Sequence, residues 1–315
     1  MSDGSRHSLA YVLETVYGQT PANPAFKALR HTSTSLGLSR ETLTSEELRD
    51  DRMIPDVRGG AQQIGGDIEF ELSYGSFDDI LEAVLCGTWG AAGAGGAAAG
   101  ASRLKAAAVR RSFTLERKFG DMLAADNPYH RFTGVEFNSM ELAINANAII
   151  TGSFSVIGQG QSLGQVPLAG ATYAAAPTTS VLDSFTGSLR EGGSPLGMIT
   201  EISLSLENGL EPRFVVGSKN SMRPSIARSN VNGSVSAYFE SSALLMKFIN
   251  EEASSIEFEL PDGEGNKQTW VLPRIKYMGG QPDVGGEGPI LLQMPFQAIL
   301  DPVTGTNLYI DRDPV

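Results

Sequence analysis

One cysteine, three histidines and only 24 lysines and arginines among 315 residues set the first limits on this chain. The lone Cys86 excludes an intrachain disulfide and reads as a buried thiol on the apolar side of a predicted helix. His7, His31 and His130 stand in unrelated contexts, with no His-x-x-His or His-Glu-x-x-His spacing to hold zinc. The basic residues are outnumbered by 36 aspartates and glutamates, for a formal net charge of −12. A surface of that sign repels phosphates rather than gripping nucleic acid. No run approaches the roughly 18 apolar residues of a membrane-spanning helix, so no membrane insertion is expected. No secretory leader is read at the N-terminus, which places synthesis in the cytosol.

Catalytic patterns are equally scarce. Gly-x-Ser-x-Gly does not occur in a strand–turn–helix setting. The Gly/Ala stretch 90–101 is followed by no Lys-Ser or Lys-Thr, so it reads as an exposed, mobile loop rather than a phosphate cradle. Asp78 and Asp79 are neighbours on a predicted helix and point apart; acids at a helix start answer to its dipole. No catalytic, cofactor-binding or metal-ligating residue is expected, and no cofactor.

What the chain does have is alternation and repetition. With 41% hydrophobic and 19% charged residues, the composition is that of a globular protein. In Asp67-Ile68-Glu69-Phe70-Glu71-Leu72 every second residue is apolar, which predicts a strand with Ile68, Phe70 and Leu72 in the core and three acids on the other face. Ser76 and Asp79 have capping-box spacing, and Phe77, Ile80, Leu81, Val84 and Leu85 make one helical face that ends at Gly87. Thr44-Ser45-Glu46-Glu47 offers a second capping box for one or two helical turns. Further strands are predicted near 25–38, 112–119, 129–157, 184–191, 198–206, 231–239, 256–260, 269–278 and 289–300.

Residues 66–87, GDIEFELSYGSFDDILEAVLCG, and residues 233–254, GSVSAYFESSALLMKFINEEAS, read as two versions of one strand-to-helix segment. Their flanks also correspond. Met53-Ile54-Pro55 precedes the first and Met222-Arg223-Pro224 the second. Phe113 to Leu115 aligns with Ile256 to Phe258, Thr133 to Phe137 with Arg274 to Met278, and Gly152 to Ile157 with Met294 to Ile299. The expected organisation is an N-terminal arm over 1–24, a first domain over 25–158 carrying the Gly/Ala loop 90–101, a linker over 159–195, a second domain over 196–300 and a polar C-terminal tail over 301–315.

The stretch 65–83 with Gly87-Thr88-Trp89, the long loop before it, and the late strand ending Ser153-Phe154-Ser155-Val156-Ile157-Gly158 resemble the major tail tube proteins of long-tailed, non-contractile (siphovirus-type) bacteriophages. The first half carries the resemblance; the internal repeat extends it to the second. The resemblance implies a mainly β fold, a β-sandwich with one short helix per domain whose sheets join into an inner barrel. It also implies a structural virion protein, assembled in the bacterial cytoplasm into stacked rings that conduct DNA during ejection. A tandem-domain chain implies homotrimeric, pseudo-hexameric rings. The implied partners are the chain itself, a tape measure protein, a tail terminator and baseplate or distal tail proteins. DNA would pass without specific binding.

On this reading Asp67, Glu69 and Glu71, with Glu257 and Glu259 from the second copy, are expected to face the lumen. Ring stacking is expected from 38–58 and its counterpart 208–228, through Glu46, Glu47, Arg49, Asp50, Asp51, Arg52, Lys219, Arg223 and Arg228. Two alternatives stay open. One is a β-sandwich binding or decoration module of a virion, and the other a contractile-tail or secretion-system tube protein.

Overall fold

Alternating sequence becomes strand along most of the chain. The computed structural model describes residues 3–196, 199–282, 284 and 286–315. The first half holds β1 (His7–Leu13), β2 (Ala25–Leu29), β3 (Ser33–Thr34), β4 (Gly37–Thr44), β5 (Val57–Glu71), helix α1 (Asp78–Val84), β6 (Ser102–Lys105), β7 (Phe113–Phe119), β8 (Tyr129–Asn145) and β9 (Thr151–Gly158). Between the halves run β10 (Gly160–Gly164), β11 (Thr172–Ala174), β12 (Ser188–Glu191) and β13 (Ser194–Pro195). The second half holds β14 (Ile199–Glu207), β15 (Glu211–Arg213), β16 (Met222–Ser225), β17 (Asn230–Tyr238), helix α2 (Ala243–Ile249), β18 (Ala253–Pro261), β19 (Lys267–Tyr277), β20 (Leu291–Ala298) and β21 (Tyr309–Asp313). Met198, expected to open β14, lies outside the described residues. The fold is mainly β with two short helices, as expected.

One sheet runs unbroken across both halves in the order β4, β5, β9, the C-terminal half of β8, β14, β17, β20 and the end of β19. Most of the remaining strands form two shorter sets, and β15 and β16 make a separate two-stranded sheet. In the first half β2, β1, β7, the N-terminal half of β8 and β10 follow one another. In the second, β12, β18, β19, β21 and β6 do so. Strand β8 belongs to both layers because it is long, and its pairing shifts between Phe137 and Ser139. Such bulges bend a strand and let it change partners.

The same pairing order therefore occurs twice. The path β5–β9–β8–β7–β1 has its match in β17–β20–β19–β18–β12, with α1 and α2 in the same places. Leu115, opposite Phe132, lies three strands in from β5 as Ile256, opposite Leu272, lies three in from β17, and Gly152 answers to Leu292. The match of Thr133 to Phe137 read from sequence is one residue away, since Phe137 answers to Tyr277, and the other two are two residues away. Residues two apart on a strand share a face, so alternation alone cannot separate these registers.

The core between the layers is one continuous cluster. In the first half Phe70 stacks on Phe154 with ring centres 4.2 Å apart, and Phe77, Phe137 and Phe113 continue the cluster. In the second half Phe258 stacks on Trp270. Aromatic pairs in these geometries add about 0.5–1.5 kcal/mol each to their area burial.

Each repeated segment opens on a glycine, and both glycines are tightly approached. A Cβ on Gly66, whose φ is +134°, would lie 2.7 Å from the backbone of Ser35 and Leu36. A Cβ on Gly233 would lie 2.1 Å from the carbonyl oxygen of Ser203. Both helices end alike. Gly87 N–H donates to Glu82 O and Cys86 N–H to Ala83 O; Glu252 N–H donates to Lys247 O and Glu251 N–H to Phe248 O. Cys86 (φ 49°) and Glu251 (φ 55°) hold the left-handed position where glycine is usual. Cys86 thus sits just past α1, buried, and burial pushes its thiol up.

Several local expectations change. Residues 1–24 are not a free arm: β1 lies between β2 and β7 with Leu9 and Tyr11 buried. Thr44 to Glu47 form no helix; Thr44 pairs with Val57, and 45–56 is the tip of the β4–β5 hairpin. Only Leu48 follows as an apolar residue in the next turn, so a helix there would have no face to bury. Ser76 caps nothing, since its hydroxyl accepts from Ser73, while Asp79 binds Lys27 (2.5 Å) and Tyr11 (3.0 Å). The stretch 159–195 carries β10, β11 and β12, and the polar 301–315 ends in β21, which pairs with β6.

Candidate functional site

Three surfaces are candidates: the solvent side of the long sheet and the tips of two hairpins. On the long sheet, apolar residues point to the core, and the row on the other face can be followed strand by strand through the pairing. One row runs Glu69, Ser153, Glu141, Ser205, Asn232, Gln297, Lys276. Asp67, Ser155, Ser139 and Glu207 make the next row, and Glu71, Thr151, Ala143, Ser203, Ser234 and Pro295 a third. The face is thus hydroxyls and amides with acids distributed across it. Among the described residues, Asp67, Glu69, Glu71, Glu141, Glu201 and Glu207 form no ion pair. A shallow depression of about 440 Å³ lies at its middle, between Glu69, Glu141, Ser205 and Asn232.

The structure brings Asp67, Glu69 and Glu71 together on this face and places Glu257 and Glu259 elsewhere. Those two lie on β18 in the other layer, beside Arg190 and Ser188 of β12, and Glu259 pairs with Lys267 at 3.2 Å. Glu141, Glu201 and Glu207 were missed in the sequence. Their alternation with Leu142, Ile202 and Leu206 was visible; that β8 and β14 are neighbours was not.

The first hairpin tip carries Glu46, Glu47, Arg49, Asp50, Asp51 and Arg52, all exposed. Among the described residues Arg49 pairs only with Asp51 (2.7 Å). Leu48, 98% exposed, and Met53 and Ile54 stand bare beside them. The second tip, 214–221 between β15 and β16, exposes Phe214, Val215 and Val216 and carries Lys219. It leans on β5, where Gln62 N–H donates to Lys219 O (2.9 Å) and the Gln62 side-chain amide meets Asn220. Arg223 is engaged within the chain: its Nε donates to buried Glu136 (2.6 Å). Arg110 grips the other oxygen of Glu136 and also donates to Pro224 O (2.8 Å), so this triad ties the two halves together. Arg228 is exposed beyond β16.

The three histidines, unrelated in sequence, converge. Arg117 Nε donates to His7 Nε2 (3.0 Å), and His7 Nδ1 and His31 Nε2 lie 2.9 Å apart. Phe119 packs edge-on against both His7 and His130. Strand β1 and the turn after β2 make this meeting, and neither contact could be read from spacing. A guanidinium in the middle opposes a bound cation, and among the described residues no group of His, Cys, Asp or Glu is arranged for a metal. Burial, Arg117 and the neighbouring histidines lower the His7 pKa from 6.5 to about 4. Between those values the unfolded chain takes up a proton that folded His7 refuses. Stability present above pH 6.5 is therefore expected to fall as pH drops to about 4. Thermal melts across that range should fall less steeply for His7→Gln than for the parent; equal slopes would contradict this account.

Comparison with known proteins follows the same line. No curated protein matches the chain. A chain of the cryo-EM structure of the anti-feeding prophage baseplate, 6-fold symmetrised, aligns over 35% of this chain and 85% of its own length, at 13% identity and a TM-score of 0.27. A likeness that low carries no argument. The family model described as phage tail tube protein matches residues 4–298, from before β1 to the end of β20. The chain belongs to the phage tail tube protein family and is a structural component of the virion tail.

Proposed function

We propose that this chain builds the tube of a long, non-contractile tail as stacked rings of three chains, each chain filling two of six similar positions, and that DNA leaves the capsid through the lumen. The observation that carries the reading is the eight-strand sheet whose polar face crosses both halves without a break. With that face turned inward, Asp67, Glu69, Glu71, Glu141, Glu201 and Glu207 meet the DNA. Six carboxylates per chain repel phosphates, the serines between them offer no fixed cation, and Lys276 stands at the far end of the face. The twice-used pairing order supports the two positions per chain, and closing the rings would remove open sheet edges. The chain's first partner is then itself; a tape measure protein, tail terminator and distal tail proteins belong to the same reading.

Electron microscopy of the purified, concentrated protein tests it. Stacked rings with three chains in each ring are expected. Six chains per ring would overturn the two-position reading, and persistent monomers would favour a virion binding module.

A further inference from the structure

The seam inside the chain has two surfaces left over, and they complement each other. Within the chain, β14 lies between β17 and the C-terminal half of β8, with Leu204 opposite Leu142 and Glu207 opposite Ser139. Strands β3 and β4 hold the same place against β5: Thr34 pairs with Ile68 and Gly37 with Gly65, as Ile202 pairs with Val235 and Ser205 with Asn232. Among the described residues their outer edge has no strand partner. At the far side of the sheet, Tyr277 holds the place of Phe137, each paired one strand over with Phe296 or Val156. Met278 N–H continues that ladder to Pro295 O, where Ser139 pairs with Ser155. Here too no β14-like strand lies alongside.

The helices show the same imbalance. In α1, Leu81 and Val84 are 2% and 0% exposed. Met246 and Ile249, at the same positions of α2, are 48% and 57% exposed. One element covering α1 comes from the second half: Asn208, directly after β14, donates from Nδ2 to Val84 O (2.9 Å) and Phe137 O (3.3 Å). By register, Arg40 of β4 sits where Asn208 sits, and among the described residues it bonds only Gln62.

From this we infer that the contact between neighbouring chains repeats the internal seam in register. The outer edge of residues 33–40 on one copy pairs antiparallel with the strand continuing past Tyr277 on a second copy. Ser39 lies opposite Met278 and Gly37 opposite Gly280. Arg40 reaches the carbonyls of Ile249 and Tyr277, and the start of β4 covers the bare side of α2. The occupant of both surfaces is thus another copy of this chain. The inference rests on the ring reading above and adds the edges, direction and register.

The test is a cross-link in the full chain. Cys86→Ala removes the only thiol, and Ser39→Cys with Met278→Cys places a pair across the expected seam. Assembled protein is treated with diamide, which accepts the two hydrogens as one S–S bond forms. Non-reducing gels should show most of the protein as a closed three-chain band, with neither single variant cross-linking. A register-shifted pair, Ser39→Cys with Gln281→Cys, should yield at least tenfold less. In the unmodified protein, amides of 33–40 and 278–282 should gain exchange protection on assembly, a readout that needs no variant to fold. Rings that form without the cross-link, or without protection at these segments, overturn the register and leave the tube reading standing. Absence of rings overturns both.

Discussion

Replacing residues 46–55 by Asn-Gly is expected to leave a folded chain that no longer forms tubes. The cut lies where Ser45 N–H donates to Asp56 O, so a two-residue turn can close β4 on β5 without moving either strand. The removed residues bury nothing: their ion pairing is the local Arg49–Asp51 contact. The melting temperature should therefore stay within a few degrees. Assembly is different. Leu48, Met53 and Ile54 stand bare at the end of a hairpin, and apolar groups held out together mark a contact surface. Fully burying one such side chain is worth roughly 1.5–3 kcal/mol, against about 0–1 for an exposed ion pair. Sequence reading puts the weight of stacking on the charges; on these magnitudes the exposed trio is expected to contribute more. Leu48→Ser with Met53→Ser and Ile54→Ser should reduce tube mass in sedimentation assays far more than Arg49→Ala with Asp51→Ala. Normal tubes from the shortened hairpin would remove this tip from the stacking contact.

The second large effect is thermodynamic. Glu136→Ala should lower stability by about 1.5–3 kcal/mol, because it removes the buried carboxylate to which both Arg110 and Arg223 donate, while the two partly exposed guanidiniums keep access to water. Arg223→Ala should be milder, since Arg110 still neutralises the carboxylate. Burial, with Glu136 next, pushes the Tyr17 phenol up to about 12. Chemical denaturation of Glu136→Ala, Arg223→Ala and the double variant measures both values and their coupling. A loss under 1 kcal/mol for Glu136→Ala would show that the triad does not hold the halves together. With its Nε donated to Glu136 inside the chain, Arg223 is a poor candidate for reaching another ring.

Local pattern was legible where a strand has one wet face and one dry one. Asp67 to Leu72 could be assigned residue by residue, because strict alternation leaves a single solution. Two of the three matches across the repeat slipped by two, since period-two sequence is degenerate to that shift, and the third, into β19, slipped by one. His7 to Leu13 was read as an arm because Gly18, Pro21 and Pro24 behind it look like loop; its partner β7 begins at Phe113, far along the chain. The capping boxes failed for a related reason. Ser76 and Asp79 had better partners in Ser73, Lys27 and Tyr11, which tertiary structure supplies and spacing does not reveal. Half of the polar face was hidden likewise, since Glu141 and Glu207 join it only through the β8–β14 seam.

The pairing of β6 with β21 has a kinetic side. Arg103 grips Asp311 at 2.6 Å across 208 residues of chain. Contacts that distant slow folding, because the loop must close before the contact is gained. A first half formed ahead of the second would pass through a period in which β8 presents an unpaired edge and β6 has no mate. That period would end when β14 and β21 arrive from the same molecule. An edge that would otherwise recruit neighbouring chains is thus claimed internally. In a tube built as proposed, growth would wait for completion of the monomer, which would separate the clock of folding from the clock of polymerisation.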